Sequence, residues 1–279
     1  MSYIRTVLLL GLLTGILLSI GYIWSGIFGM TIFLLIAFLM NFLVYWFSDK
    51  IVLAMYRAKP IQKSDEPRLH EIVEKLSKEM NIHKPKVYLV NLPIANAFAT
   101  GRNYKNAVIA VTSGLMKNLN WEEVEGVISH ELAHVKNRDT LTSTISATIA
   151  GGIAYIAQIA WYSLFMGGER RQGGGLIFLP LILLAPIAAT LIQLAITRTR
   201  EFAADRTGAL ISKKPLYLAS ALEKISKVSK QHPIAGNDAT AHLWIVNPFK
   251  GDILMSLFNT HPPVEVRVQK LKELAKELK

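Results

Sequence analysis

The sequence predicts a mainly α-helical membrane protein with a small α+β domain on one side of the bilayer. Of its 279 residues, 51% are hydrophobic and only 18% are charged, whereas soluble proteins average about 25% charged residues. The basic residues are also unevenly placed. Residues 1–46 contain one Lys or Arg and residues 141–196 contain two, so the other 28 of 31 lie in 47–140 and 197–279. Charge-free apolar blocks between basic blocks are typical of membrane-spanning chains.

Four apolar runs are long enough to cross a membrane, because about 20 helical residues span ~30 Å of hydrocarbon. These runs are 7–23, 30–46, 141–166 and 176–197. The third is rich in small and hydroxyl residues, which pack closely in membrane helices but would also suit a buried soluble helix. No small-x-small cleavage site follows the first run, so we expect an anchored hairpin rather than a removable signal peptide.

The basic residues also predict how these helices are oriented. The link between the first two runs has no Lys or Arg, and the link between the last two has only Arg170 and Arg171. Because basic flanks stay on the cytoplasmic side, we expect a multi-pass protein of the cell membrane with both termini in the cytoplasm. The net charge of +11 fits a face against anionic lipid headgroups, and no module typical of nucleic-acid binding is recognisable.

The chain therefore divides into four predicted segments. They are an N-terminal hairpin (1–46), a polar domain with a small sheet (47–140), a second hairpin (141–197) and a helical polar part (198–279). In the polar domain, strands are predicted over 86–90, 96–100 and 107–111 from their β-branched content and bounding turns. Helices are predicted after Pro67 and from Trp121, where Asn120 and Glu123 form a capping box.

The second of these helices contains His130-Glu131-Leu132-Ala133-His134. Histidines at i and i+4 leave the same helix face and can bind one Zn²⁺, with Glu131 as general base toward a water on the metal. The alternative is two chance histidines on a surface helix, which the capped and uninterrupted helix argues against. The chain has no cysteine, which excludes a cysteine zinc site, an iron–sulfur cluster and a thiol nucleophile.

A catalytic zinc site needs a third protein ligand and an open position. The run from Glu201 to Asp205 places two carboxylates at i and i+4 on one helical face. We predict that Glu201 is the third ligand and that Asp205 accepts a hydrogen bond from the second nitrogen of a metal-bound histidine. The alternative is that both acids are solvated beside Arg198, Arg200 and Arg206.

These motifs resemble those of the HtpX-type integral-membrane zinc metalloproteases, whose wider family includes the CAAX prenyl proteases. The resemblance covers nearly the whole chain: two apolar runs, a metal helix, two more runs and a polar C-terminal part. It implies one Zn²⁺ per chain bound by His130, His134 and Glu201, with Glu131 as base and Asp205 in support. Two of the four membrane helices would continue into the metal-binding helices, making the polar part a cytoplasmic metalloprotease domain.

The resemblance also implies roles for residues outside the metal motif. Asn137 and Asp139 match polar positions that follow the metal helix and support the site. The run from His261 to Arg267 resembles the His-Pro…Arg signature of the wider family, in which the His lies near the scissile carbonyl and the Arg supports the site.

The resulting expectation is a zinc endopeptidase that removes misfolded or damaged membrane proteins. A CAAX-type prenyl protease would need a chamber built from more than four spans, and a scaffold with a vestigial site would be expected to lose Glu131. A protease of unfolded chains can bind substrate backbone as an added strand. The candidate edge is formed by small-residue strand positions, namely Asn96, Ala97, Phe98 and Ala99; the alternative is an ordinary internal strand.

Overall fold

A computed structural model describes residues 2–145, 198–231, 243–246 and 262–278 of the chain. Within these ranges the protein is mainly helical, with one small sheet. In chain order the elements are α1 (Ser2–Met55), β1 (Lys59–Pro60), α2 (Pro67–Glu79), β2 (Lys86–Val90), β3 (Ala97–Thr100), β4 (Val108–Thr112), α3 (Ser113–Asn118), α4 (Trp121–Lys136), α5 (Arg198–Ser212), α6 (Pro215–Gln231) and α7 (Val264–Glu277).

Helix α1 is two helices joined at a sharp break. Ser25 and Gly26 have non-helical backbone angles, and φ of Gly26 is +59°, a conformation that glycine adopts readily. The Asn41 side chain donates a hydrogen bond to Oγ1 of Thr14 at 2.8 Å, so the two halves run antiparallel. The first two predicted apolar runs therefore form a hairpin.

The second half of α1, Ser25–Met55, is the one helix in the described ranges that is long and apolar enough to cross a membrane. Its large side chains face outward, and Ile27 and Phe38 are both 73% exposed. An apolar surface of this extent needs an apolar partner such as lipid. Most of the third apolar run and all of the fourth lie outside the described residues.

The sheet has four strands in the order β1-β2-β4-β3. Strand β2 pairs with β4 in parallel, while β3 pairs with β4 and β1 with β2 in antiparallel fashion. All three predicted strands are confirmed to within a residue, whereas the two-residue β1 was not predicted. Strand β3 lies at an edge of the sheet, as the substrate-edge hypothesis requires.

Helix α4 is buried along almost its whole length, because the edge strand β3 and the helices α2, α5 and α6 all pack against it. Two glycines permit this close packing. A Cβ on Gly126 of α4 would lie 2.5 Å from the backbone nitrogen of Leu218 in α6, and one on Gly208 of α5 would lie 2.8 Å from the carbonyl oxygen of Ser129. The backbone of α5 is thereby held against the middle of α4.

The predicted continuation of the metal helix α4 into the third apolar run is interrupted by a turn. The helix ends at Lys136, Asn137 is its C-cap, and Arg138 has a left-handed φ of +60°. Helical structure resumes at residue 140 and continues to residue 145, where this described range ends. The turn lets the backbone N–H of Asp139 donate to the carbonyl oxygen of His134 at 2.9 Å, which brings the Asp139 carboxylate back toward the histidine.

Candidate metal centre

The local sequence of α4 positions the two histidines. Oδ1 of Asn120 accepts from the N–H of Glu123, and Oε2 of Glu123 accepts from the N–H of Asn120, both at 2.9 Å. This is the predicted capping box, which satisfies free N–H groups at the helix start. Farther along, the ring centroids of His130 and His134 lie 4.7 Å apart, and their Nε2 atoms are 3.2 Å apart.

Glu201 of α5 completes a three-ligand cluster with these histidines. Its Oε1 lies 3.4 Å from Nε2 of His134 and its Oε2 lies 3.7 Å from Nε2 of His130. Ligands at 2.0–2.1 Å from a tetrahedral zinc ion are ~3.3 Å from one another. The three observed separations therefore fit a single metal ion, and the donor set of two imidazoles and one carboxylate suits zinc.

His130 is oriented by a carboxylate on its other nitrogen. Its Nδ1 donates to Oδ1 of Asp205 at 2.9 Å, which leaves the lone pair of Nε2 for a metal. Arg267 holds Asp205 at two points, from Nε to Oδ2 at 2.8 Å and from Nη2 to Oδ1 at 2.7 Å. Arg267 is fully buried and also donates to the carbonyl oxygen of Ile245 at 3.3 Å.

His134 has a matching arrangement that sequence reasoning only half predicted. Its Nδ1 lies 3.3 Å from Oδ2 of Asp139, so Asp139 can fix the ring as Asp205 does for His130. Arg200 holds the other oxygen of Asp139 through Nε at 2.9 Å and through Nη2. The sequence showed Arg200 only as one of three arginines near Glu201, and no local signal separated it from the others.

The charges around the site influence its protonation. Burial would raise the pKa of Asp205, but the charge of Arg267 and hydrogen bonds from it and His130 lower it to about 2. Burial lowers the pKa of His130. Burial also works against protonation of His134, yet the charge of Glu201 and the contact with Asp139 raise its pKa to about 10. Surroundings that attract a proton this strongly also attract a divalent cation, which displaces that proton on binding.

Glu131 lies beside the ligands and contacts the sheet edge. Its Oε2 accepts a hydrogen bond from the backbone N–H of Ala99 in β3 at 2.9 Å. Burial, with a smaller contribution from the Glu201 charge, raises its pKa to about 7. Glu131 shares a cavity of about 50 Å³ with the cluster. The residues lining it are Phe98, Ala99, His130, Glu131, His134, Thr140, Ser143, Glu201, Leu243, Trp244 and Ile245.

The predicted substrate residues do not all reach this cavity. Phe98 and Ala99 line it, whereas Ala97 is fully buried. The side chain of Asn96 donates to the carbonyl oxygen of Leu243 at 3.2 Å and accepts from the N–H of Ile245 at 2.9 Å. Asn96 therefore holds residues 243–245 in place; these residues line the cavity, and the sequence did not indicate them.

The structure does not test the predicted roles of Asn137 and His261. Asn137 caps α4 through its backbone N–H, which donates to the carbonyl oxygen of Ala133 at 2.8 Å, so a supporting role for its side chain stays a prediction. His261 lies outside the described residues, and its role also stays a prediction.

Two histidines and a glutamate around one point, with a second glutamate between the histidines in sequence, define a metallopeptidase-type centre. The family model for peptidase family M48 matches residues 63–275 of this chain. The chain belongs to peptidase family M48, and the sequence-based assignment to this family is confirmed.

Curated relatives match over almost the full length. The "Protease HtpX homolog" of Pyrococcus furiosus is 52% identical over 280 residues, which cover 99% of this chain and 97% of the relative. That of Aquifex aeolicus is 50% identical over 272 residues, covering 95% and 90%. Among solved structures, the crystal structure of S. mikatae Ste24p shares the fold with a TM-score of 0.50 and 17% identity. The match covers 94% of this chain and 62% of that protein.

Proposed function

We propose that this protein is a zinc-dependent endopeptidase of the cell membrane, with its catalytic part in the cytoplasm, that hydrolyses misfolded or damaged membrane proteins. One observation carries the proposal: His130, His134 and Glu201 converge at metal-ligand distances in one buried cavity with Glu131. Relatives about half identical to this chain are named as HtpX-type proteases, which supports peptide hydrolysis and a role in membrane-protein quality control.

A zinc ion held by these three ligands would polarise the scissile carbonyl and acidify a water molecule. Glu131 is the side chain placed to take a proton from that water at its carboxylate and to deliver it to the leaving amine. Asp205 and Asp139 keep the imidazoles of His130 and His134 oriented with Nε2 inward. His261 is proposed to stabilise the carbonyl oxygen.

The substrate backbone is proposed to bind at β3. In an antiparallel pair, backbone groups alternate between facing the partner strand and facing away. The N–H of Ala99 points to Glu131, so the backbone of Ala99 faces away from β4. Because Ala99 lines the cavity and Ala97 does not, the part of the edge proposed to pair with a substrate is at Ala99, where the substrate would compete with Glu131 for the N–H.

Membrane-protein substrates are supported by the position of the cavity in the chain. Thr140 and Ser143 line it; Thr140 immediately precedes the third apolar run and Ser143 belongs to it, and residues 140–168 carry no charge. A cavity next to a membrane-spanning segment is within reach of chain segments that leave the bilayer.

The experiment distinguishes the role of metal ligand from that of general base, in full-length protein purified in mild detergent. Glu131→Gln should retain about one zinc per chain but lose at least about 10²-fold in hydrolysis of casein or of an unfolded membrane protein, because the proton acceptor is removed. Glu201→Gln should instead lower zinc content. Glu122→Gln, on the exposed face of α4, is the matched control and should change neither. Identical behaviour of Glu131→Gln and Glu201→Gln would refute the assigned roles.

A further inference from the structure

We propose that the turn at residues 101–106, with Lys50 and Arg138, forms a docking surface for the headgroups of anionic lipids. We call residues 101–106 the interface turn. It lies outside the metal centre, and its proposed role does not depend on the hydrolytic activity.

The end of the first hairpin marks the level of the membrane surface. No charged residue occurs from residue 6 to residue 48, and Asp49 and Lys50 are the first charges after Arg5. Trp46 lies about 21 residues after Ser25, or ~31 Å along the helix, which matches the hydrocarbon thickness. Tryptophan is enriched where hydrocarbon meets headgroups, so Trp46 indicates the interface.

The interface turn is attached at this level. The guanidinium carbon of Arg102 lies 4.4 Å from the centroid of the Trp46 ring, a cation–π distance. The ammonium of Lys50 similarly lies 5.2 Å from the ring of Phe47. Both cations are therefore held where the apolar helix surface ends.

A second part of the chain places the turn at the same level. Arg138 lies two residues before the charge-free residues 140–168, so it marks the start of another apolar segment. Its guanidinium carbon lies 5.9 Å from the ring of Tyr104, which also stacks on His83 with centroids 6.3 Å apart. The interface turn thus bridges two chain segments that each approach the bilayer.

The turn is preorganised by its own hydrogen bonds. Gly101 has a φ of +133°, and a Cβ there would lie 2.4 Å from the carbonyl oxygen of Asn106. Oδ1 of Asn103 accepts from the backbone N–H groups of Lys105 and Asn106, both at 3.0 Å. A turn that is already ordered loses little conformational entropy when it binds.

The charge of the surface selects the headgroup. Its cations are Lys50, Arg102, Lys105 and Arg138, and Lys105 and Arg138 are exposed. Two acids lie beside these four cations: Asp139 is paired with Arg200, and Asp49 is next to Lys50 in the sequence. The surface is therefore net positive, and basic residues near an anionic membrane surface are attracted to it. Zwitterionic headgroups offer no comparable attraction.

The test uses the absence of cysteine in the chain. Full-length Asn106→Cys carries a single spin label at an exposed position of the turn, in nanodiscs of phosphatidylcholine alone or with phosphatidylglycerol. The label should lie at headgroup depth in the anionic nanodiscs, with severalfold lower accessibility to a water-soluble nickel reagent than in the neutral ones. High salt should reverse the difference, because the screening length falls from ~10 Å at 0.1 M to ~3 Å at 1 M.

Two variants distinguish charge recognition from simple proximity. In the first variant, Arg102→Gln and Lys105→Gln are added to the labelled Asn106→Cys protein, and the label should then be exposed to water in anionic nanodiscs. An unchanged zinc content would report an intact fold. Adding Lys227→Gln and Lys276→Gln removes the same charge from exposed positions elsewhere and should leave the label at depth. Equal nickel accessibility in both lipids, or no response to the Arg102 and Lys105 changes, would overturn the proposal.

Discussion

Each imidazole of the candidate metal centre is held by a carboxylate that is itself held by an arginine. His130 pairs with Asp205 and Arg267, and His134 pairs with Asp139 and Arg200. A neutral imidazole can ligate a metal only through the nitrogen that carries no proton, so the hydrogen bond on the other nitrogen selects the tautomer. Arg267 lowers the pKa of Asp205 and so keeps it ionised, and both arginines hold their carboxylates in place by hydrogen bonds.

This arrangement predicts a role for Arg200 in metal affinity. Arg200→Gln should lower zinc affinity about 10- to 100-fold, as loss of outer support for a ligand commonly does, because Asp139 is no longer fixed against His134. Competition with a chromogenic chelator measures the zinc dissociation constant. Arg206→Gln, exposed on the same helix, is the control. Equal zinc affinities for the two variants would show that Arg200 does not act through His134.

At the residue scale, the sequence predicted the site residues that lie close together in the chain. His130, Glu131 and His134 lie within five residues on one helix, so their spacing alone indicates their geometry. Arg200 and residues 243–246 reach the site only through tertiary contacts, and no local pattern shows which of several arginines or which loop will do so.

At the scale of secondary-structure elements, the stability of helix α4 depends on side-chain contacts in its first turn. Glu123 is 3% exposed; besides closing the capping box it accepts hydrogen bonds from Ser220 at 2.6 Å and Lys224 at 2.9 Å in α6. Because Lys224 is 47% exposed, its ion pair contributes little. The cap and the buried hydrogen bond with Ser220 should dominate the effect of losing this side chain.

We therefore expect Glu123→Ala to lower the free energy of unfolding by about 1–3 kcal/mol. Burial would raise the pKa of Glu123, but hydrogen bonds from Lys224, Ser220 and Asn120 lower it overall. The part of this stabilisation that depends on ionised Glu123 should be fully present above the unfolded-state pKa of ~4.3 and be lost as pH falls through the folded-state pKa. Thermal unfolding across pH measures this, with Glu122→Ala as control; a loss independent of pH would contradict the ionised role.

Strand β3 can be tested by backbone changes at Ala99. Ala99→Pro removes the N–H that Glu131 accepts from and that faces the cavity, so hydrolysis should fall while zinc content persists. Ala99→Gly keeps the N–H and should retain most turnover. Full activity of folded Ala99→Pro protein would exclude this edge as the substrate site. The sequence predicted the strand, but the direction of this one amide depends on register with β4, which a single strand does not reveal.

For the whole molecule, the charge pattern predicted more than the local helix signals did. Charge-free blocks anticipated the hairpin of α1, and β-branched runs anticipated the sheet. The break after α4 was missed because Arg138 adopts a left-handed conformation that glycine or asparagine would have signalled. That break is what lets Asp139 reach His134, so a local irregularity serves the metal centre.

The membrane topology gives the last prediction. The basic flanks predict that both polar segments lie in the cytoplasm, with the α1 break and the link near residue 168 outside. Since the chain has no cysteine, single thiols can be placed at Ser25, Ser64, Gly168 and Glu277. In intact cells a membrane-impermeant maleimide should label Ser25→Cys and Gly168→Cys; permeabilised cells should label all four. If Gly168→Cys instead reacts only from the side of Ser64→Cys, the third and fourth apolar runs do not cross the membrane as a pair. The protein would then be anchored by the α1 hairpin, with the runs at 141–166 and 176–197 lying against the cytoplasmic face.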